Sequence, residues 1–235
     1  MIVTIDGPAG AGKSSAARQL AHRLGFEFLD TGAMYRAVTL AARAADIDAR
    51  DEAALAQLLD GLRLEMPDDK VLLNGADVTL AIRDPDVTAA TGQIADSPVV
   101  RRWLGARQRE IAAGRDMVCE GRDQGTVVFP DAACKFFLVA DPVERARRRQ
   151  AELAAKGTTV SLEDLLAAQT RRDERDAARD LAPMRPAADA LQLDSTQLTL
   201  TQVVERMEME VHRCRTGASI SSTKSSGSSA IPPSR

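Results

Sequence analysis

The sequence predicts an α/β protein built on a parallel sheet flanked by helices. Three observations carry that prediction. Short β-branched, apolar runs alternate with stretches of helical period along most of the chain. A glycine-rich loop joins the first strand-like run to the first helix-like run. Charged residues gather directly after later strand-like runs, and ligands of open parallel sheets sit at the carboxyl ends of their strands.

The elements follow in order. IVTID (Ile2–Asp6) is apolar and β-branched and reads as the first strand. GPAGAGKSS comes next and answers to the pattern G-x-x-x-x-G-K-[ST]. Its glycines allow backbone angles that turn several N–H groups inward, at the start of a helix whose dipole favours an anion. Gly7, Pro8, Ala9, Gly10, Ala11, Gly12, Lys13, Ser14 and Ser15 are therefore expected to hold the phosphates of a nucleoside triphosphate. Lys13 would reach the outer phosphates and Ser14 would supply a hydroxyl to Mg²⁺. The required context, strand before and helix after, is met, and it points to the P-loop NTPase type of α/β fold. Lys13–Leu24 is the helix, with apolar residues at positions 16, 17, 20, 21 and 24 and Gly25 as its stop. The loop alone serves kinases, GTPases, helicases and transporters alike.

Residues 26–29 read as a second, buried strand, followed by helices over 32–45 and 52–59. LRLEMPDDKVLLNGADVT then breaks the pattern, with turn signals at PDD and NG between short apolar runs. It is expected to form a small antiparallel lobe. Helices over 87–94 and 98–113 return to the body. Strands are expected over 117–119 and 135–139, long Arg-rich helices over 142–156 and 162–179, a last strand over 190–193 and a last helix over 200–214. The tail from 216 to 235 is rich in Ser, Gly and Pro and reads as disordered.

Composition narrows the function classes. A formal charge of -3 argues against a general nucleic-acid binder. Cys119, Cys134 and Cys214 lack metal-site spacing, and two histidines are too few for a histidine-based metal centre. No run of 18 apolar residues occurs and no signal sequence is recognisable, so a reduced, soluble, cytoplasmic protein is expected. No exposed apolar helix face is apparent, which suggests a monomer.

Three segments after strands carry candidate chemistry. LDTGAMYR offers Asp30, Thr31, Tyr35 and Arg36. Asp30 or Thr31 could equally be a helix cap with Arg36 solvated. In GRDQGTVV, Arg122 and Asp123 lie on a glycine-flanked turn, which suggests Arg122 on a phosphate and Asp123 on a base, a ribose or metal-bound water. In RRDERDAARD, Arg172, Asp176 and Arg179 share one helix face. A salt-bridged solvated helix has the same appearance. The proline-rich return APMRPAAD instead suggests a mobile lid over a phosphate site, with Arg145, Arg148 and Arg149 as its other arm.

GPAGAGKS, LDTGAMYR, SPVVRRWLGARQRE, EGRDQGTVVFPDA, RRDERDAAR and PAADALQLDST, in this order from about residue 1 to 214, resemble the bacterial cytidylate kinase family. The resemblance implies transfer of the ATP γ-phosphoryl group to CMP or dCMP. It implies a core of residues 1–60, 98–145 and 185–215, a nucleoside-monophosphate-binding lobe of about 61–97, and a lid of about 146–184. The loop with Arg148 would hold ATP, and Lys13, Arg122, Arg172 and Arg179 would act in catalysis. Arg36 and Arg122 would take the acceptor phosphate. Arg101 and Asp123 would read the cytosine with help from Arg179, while Arg172 and Asp176 would meet the ribose and the transferring phosphates. Tyr35 would wall the pocket, and Thr31 stands where the family often has Ser.

Two positions depart from that pattern. Gly92, with Thr91 beside it, stands where a Ser near the base is usual, and Glu120 stands where Asp is usual before GRD. Three alternatives bear on the same residues. A shikimate-type kinase would use Asp30 as its base, and would leave GRDQGTVV and the β-rich insertion unexplained. A UMP or AMP kinase would differ only in the base pocket. A nucleotide-gated RNA binder is disfavoured by the negative charge and the shortage of stacking aromatics.

Overall fold

The computed structural model describes residues 1–67, 69–155 and 157–216. Strands β1 (Ile2–Asp6) and β2 (Glu27–Asp30) come first in the chain, separated by helix α1 (Lys13–Leu24). Helices α2 (Thr31–Ala44) and α3 (Glu52–Asp60) follow, then the short strands β3 (Leu64–Glu65), β4 (Leu72–Leu73) and β5 (Ala76–Asp77). Helices α4 (Pro85–Asp96) and α5 (Pro98–Ala112) lead back to β6 (Met117–Glu120) and β7 (Cys134–Val139). Helices α6 (Pro142–Ala154) and α7 (Leu162–Ala177), strand β8 (Leu191–Asp194) and helix α8 (Leu200–Thr216) complete the order.

Five strands form one sheet in the order β2-β6-β1-β7-β8, every neighbouring pair parallel. Alternation along the strands feeds two cores. Met117 and Cys119 enter the cluster shared with Leu29, Met34, Val38, Leu55 and Leu104, under α2, α3 and α5. Val118 faces the other way, into the cluster of Val3, Ile5, Leu20, Phe136, Val204 and Met207 under α1 and α8. A sheet buried on both faces needs apolar strands, and these supply them.

The insertion is an antiparallel sheet, β3-β4-β5. Asn74 and Gly75 both have positive φ, as a two-residue hairpin turn requires. Leu64, Val71 and Ile82 belong to the first core cluster, so the small sheet is packed onto the body.

Several sequence expectations shift. The second and last strands lie one residue later than expected. Helix α7 ends at Ala177, two residues short of the expected end, and Arg179 turns toward Asp96 and Asp176 instead. Helix α6 ends at Ala154, and Lys156 lies outside the described residues. Helix α8 runs to Thr216, two residues beyond its expected end and one residue into the expected tail, and 217–235, the rest of that tail, lie outside the described residues. The segment after β6, expected as a simple turn, contains a π-helical turn, Gln124–Val128. Among the described residues no helix is long and apolar enough to cross a membrane.

Candidate active site

Four loops at the carboxyl edge of the large sheet converge on one region. The loop after β1 wraps tightly, with φ of 137° at Gly7 and 89° at Gly12. A β-carbon on Gly7 would overlap the Leu138 carbonyl oxygen, so only glycine lets β1 turn away beside β7. Lys13 spans the loop and donates from Nζ to the Pro8 carbonyl at 2.8 Å. Burial, then the charges of Arg122 and Arg172, hold its ammonium below the ordinary lysine value despite Glu120 and Asp6 nearby. An anion in the loop would reverse that balance.

Ser14 Oγ donates to Glu120 Oε1 at 2.8 Å. Burial and the Asp30 charge push the Glu120 carboxyl up. The pair presents two hard oxygen donors beside the loop. That set fits Mg²⁺, which takes one or two protein oxygens and completes its shell with phosphate and water.

Beside the loop is a cavity of about 470 Å³ between α4, the end of β6 and α7. Thr31, Tyr35, Arg122, Asp123, Arg172, Asp176 and Arg179 all line it. Arg101 stands behind its wall, buried, donating to Asp123 Oδ2 at 2.5 Å and to the Ala95 carbonyl at 2.8 Å. Its guanidinium lies 5.7 Å from the Tyr35 ring. Burial raises the Tyr35 hydroxyl beyond its ordinary value and keeps it neutral.

Asp176 is the hub of the α7 side. It is buried, accepts from Arg179 at 2.6 Å and from Arg122 at 3.2 Å, and lies 4.0 Å from Arg172. All three line the cavity, Asp176 buried there, the Arg179 side chain nearly so and Arg172 still partly open to solvent, but Arg179 lies beyond the end of α7, so the single helix face expected from the spacing is not formed. Asp30 does cap α2, accepting from the Ala33 N–H at 2.7 Å, and it also pairs with Arg36 at 3.2 Å. Thr31 Oγ1 donates to the Glu120 carbonyl at 2.7 Å, tying β2 to β6. Thr91, the neighbour able to replace a serine hydroxyl at position 92, donates instead to the Val87 carbonyl at 2.6 Å.

Arg148 lies against the donor loop rather than the cavity. It donates to Glu144 and to Ser195, whose hydroxyl in turn donates to the Ala11 carbonyl. A β-carbon on Gly12 would come within 3.9 Å of Arg148. Pro8, Ala9, Gly10, Ala11 and Gly12 form the loop itself, and Ser15 is exposed on the first turn of α1.

Sequence reasoning gave no role to three contributors. Asp6, the last residue of β1, accepts from the backbone N–H groups of Gln124 and Gly125 at 2.9 and 2.8 Å. It clamps the start of the π-helical turn that directly follows Arg122 and Asp123, and burial pushes its carboxyl up to about 7. Its place at a strand's carboxyl end, one residue before the loop, was the available signal. Asp173 of α7 accepts from the Ala9 N–H at 3.1 Å and pairs with Arg145, so an α7 carboxylate occupies a loop donor. Arg175 also lines the cavity. Nothing in the spacing separates these residues from the other members of RRDERD.

Comparison with known proteins agrees with this geometry. The family model for cytidylate kinase matches residues 3–213. The cytidylate kinase of Rhodopirellula baltica is 48% identical over 225 residues, covering 96% of this chain and 98% of the relative. That of Geobacter sulfurreducens is 50% identical over 212 residues, covering 88% and 91%. That of Citrifermentans bemidjiense is 48% identical over 215 residues, covering 90% and 92%.

Proposed function

The chain belongs to the cytidylate kinase family, and from that premise we propose how its residues move the ATP γ-phosphoryl group to CMP or dCMP, giving ADP and CDP or dCDP. The phosphate loop, Gly7 to Ser15, holds ATP, with Arg148 at its flank. Lys13 reaches the outer phosphates. Ser14 and Glu120 would hold Mg²⁺ or its waters, and the metal would supply positive charge to the transferring phosphates. Arg36 and Arg122 take the acceptor phosphate. Arg101 and Asp123 read the cytosine, Tyr35 and Thr31 wall the pocket, and Arg172, Asp176 and Arg179 meet the ribose and the transferring phosphates.

The observation that carries this reading is the pairing of carboxylates. Asp123 and Asp176 line the cavity, and both are ion-paired with arginines. A hydroxyl acceptor needs a base. A nucleoside monophosphate does not, because its phosphate has a second pKa of about 6 and is a dianion near neutral pH. One of its oxygens attacks the γ-phosphorus, a new P–O bond forms, and the bond to the ADP oxygen breaks. The arginines offset the repulsion between the two anions, and a closed lid excludes water as a competing acceptor. The shikimate-type alternative needs Asp30 free, and Asp30 is committed to the α2 cap and to Arg36.

In the same reading, residues 1–60, 98–145 and 185–215 act as the core, about 61–97 as the acceptor lobe and about 146–184 as the lid. The protein works as a cytoplasmic monomer without nucleic acid or membrane. The test is ADP release with ATP and Mg²⁺ and, in turn, CMP, dCMP, UMP, AMP, shikimate or no acceptor. Turnover with CMP and dCMP supports it. Turnover with shikimate alone, or with no monophosphate, overturns it.

A further inference from the structure

Gly92 and Arg175 face each other across the acceptor cavity and both line it. A β-carbon on Gly92 would overlap the carbon and both terminal nitrogens of the Arg175 guanidinium. The guanidinium therefore lies on bare helix backbone, in the space a side chain at 92 would fill. The neighbouring cavity-facing positions of α4, Thr88, Ala89, Thr91 and Ala95, all carry side chains. Position 92 is the one on that face where a guanidinium can approach so closely.

Among the described residues Arg175, like Arg171 in the same cavity wall, lacks the close carboxylate partner that other arginines of the site have. Arg36, Arg101, Arg122 and Arg179 each have a carboxylate partner within 3.2 Å. Among the described residues Arg175 has no hydrogen bond or ion pair, as the side-chain bonds of α7 go to Asp173, Asp176 and Gln169. Its five donors stay free for a ligand in the cavity. Just beyond the end of α7 the chain meets α4 again: Arg179 donates to Asp96 at 2.6 Å. Residues 175 and 179 thus step along α4 in register with 92 and 96. The Arg101 bond to the Ala95 carbonyl brings the Arg101–Asp123 pair to this same end of α4.

Resting on the cytidylate kinase reading, we propose that Arg175 is a further specificity-determining residue of the acceptor site, seated on Gly92 and donating to the pyrimidine carbonyl of the bound monophosphate. The lid helix and α4 then close over the base together. Glycine at 92 replaces a side chain near the base with a guanidinium borrowed from the lid.

The test uses the full chain with three variants, Arg175→Ala, Gly92→Ser and the double variant, in the ADP-release assay with CMP, dCMP and ATP each titrated. A charged hydrogen bond predicts a rise in KM for CMP of roughly 10- to 100-fold in Arg175→Ala, with KM for ATP unchanged. Gly92→Ser evicts the guanidinium and gives a similar rise. The double variant is no worse than either single one, because both remove one interaction. CMP and dCMP suffer equally, since the base is common to both. Additive losses overturn the seat. A loss confined to CMP moves Arg175 to the ribose and overturns the base contact. Unchanged KM in both single variants overturns the whole proposal. Thermal melting of each variant within 2 °C of the parent, roughly the precision of the comparison, excludes a folding defect as the cause. The parent is assayed first: if it fails with CMP, the kinase reading falls, whereas an active parent with unaffected variants sinks only the role of Arg175.

Discussion

Removing Arg101 separates what the buried pair does for the fold from what it does for the substrate. Arg101 and Asp123 have side chains 6% and 7% exposed and meet at 2.5 Å. Arg101→Met keeps the bulk and removes the charge, leaving the Asp123 carboxylate buried without its partner. Breaking a buried pair from one side costs about 3–5 kcal/mol. The bond to the Ala95 carbonyl is lost as well. For a domain of this size each kcal/mol moves Tm by about 2–4 °C, so the fall is about 6–20 °C. Adding Asp123→Asn removes the stranded charge, and at least half of the lost Tm returns. CMP turnover does not return, because both groups proposed to read the base are gone. The assay is thermal melting of parent, single and double variants beside kcat/KM for CMP. An Arg101→Met protein that melts within 2 °C of the parent would refute the reasoning, since the charge would then be solvated and the pair without structural weight.

Two further perturbations test the frame around the site. The folded-state value of Asp6, about 7, lies above its ordinary 3.8. The native chain therefore keeps a proton that the unfolded chain has released, and this group's contribution to stability declines as pH rises from about 4 to about 7. Asp6→Asn titrates nothing and gives a flatter profile of unfolding free energy against pH in that window; the same change in unfolding free energy between pH 4 and pH 8 in parent and variant, read from urea titrations, would contradict the assignment. Gly7→Ala forces a β-carbon into the Leu138 carbonyl at a φ of 137°. Both backbone strain and overlap oppose it, so a loss of about 2 kcal/mol or more and no measurable ATP binding are expected; a parent-like melt with normal ATP affinity would show that the loop relaxes there.

Much of the site was legible along the chain because its parts are local. The strand, loop and helix from Ile2 to Leu24 have the expected bounds, since β-branched residues, glycines and a 3.6-residue period each act over a few neighbours. The grouping of Arg172, Asp176 and Arg179 was visible from spacing, although spacing could not tell cavity from solvent or show that α7 ends before Arg179. The π-helical turn Gln124–Val128 was not visible. It depends on the Asp6 carboxylate, 118 positions away in sequence from Gln124, accepting its backbone N–H.

The sequence by itself determined the parallel α/β class, the anion-binding loop and the family, because each rests on short-range pattern or on motifs in fixed order. Tertiary structure alone decided the partners. It set Asp176 between Arg122 and Arg179, gave the Thr91 hydroxyl to its own helix, and laid Arg175 on Gly92. Charged side chains are free to turn toward water or toward one another, and only the packing of α4, α7 and the sheet edge fixes which carboxylate each arginine meets.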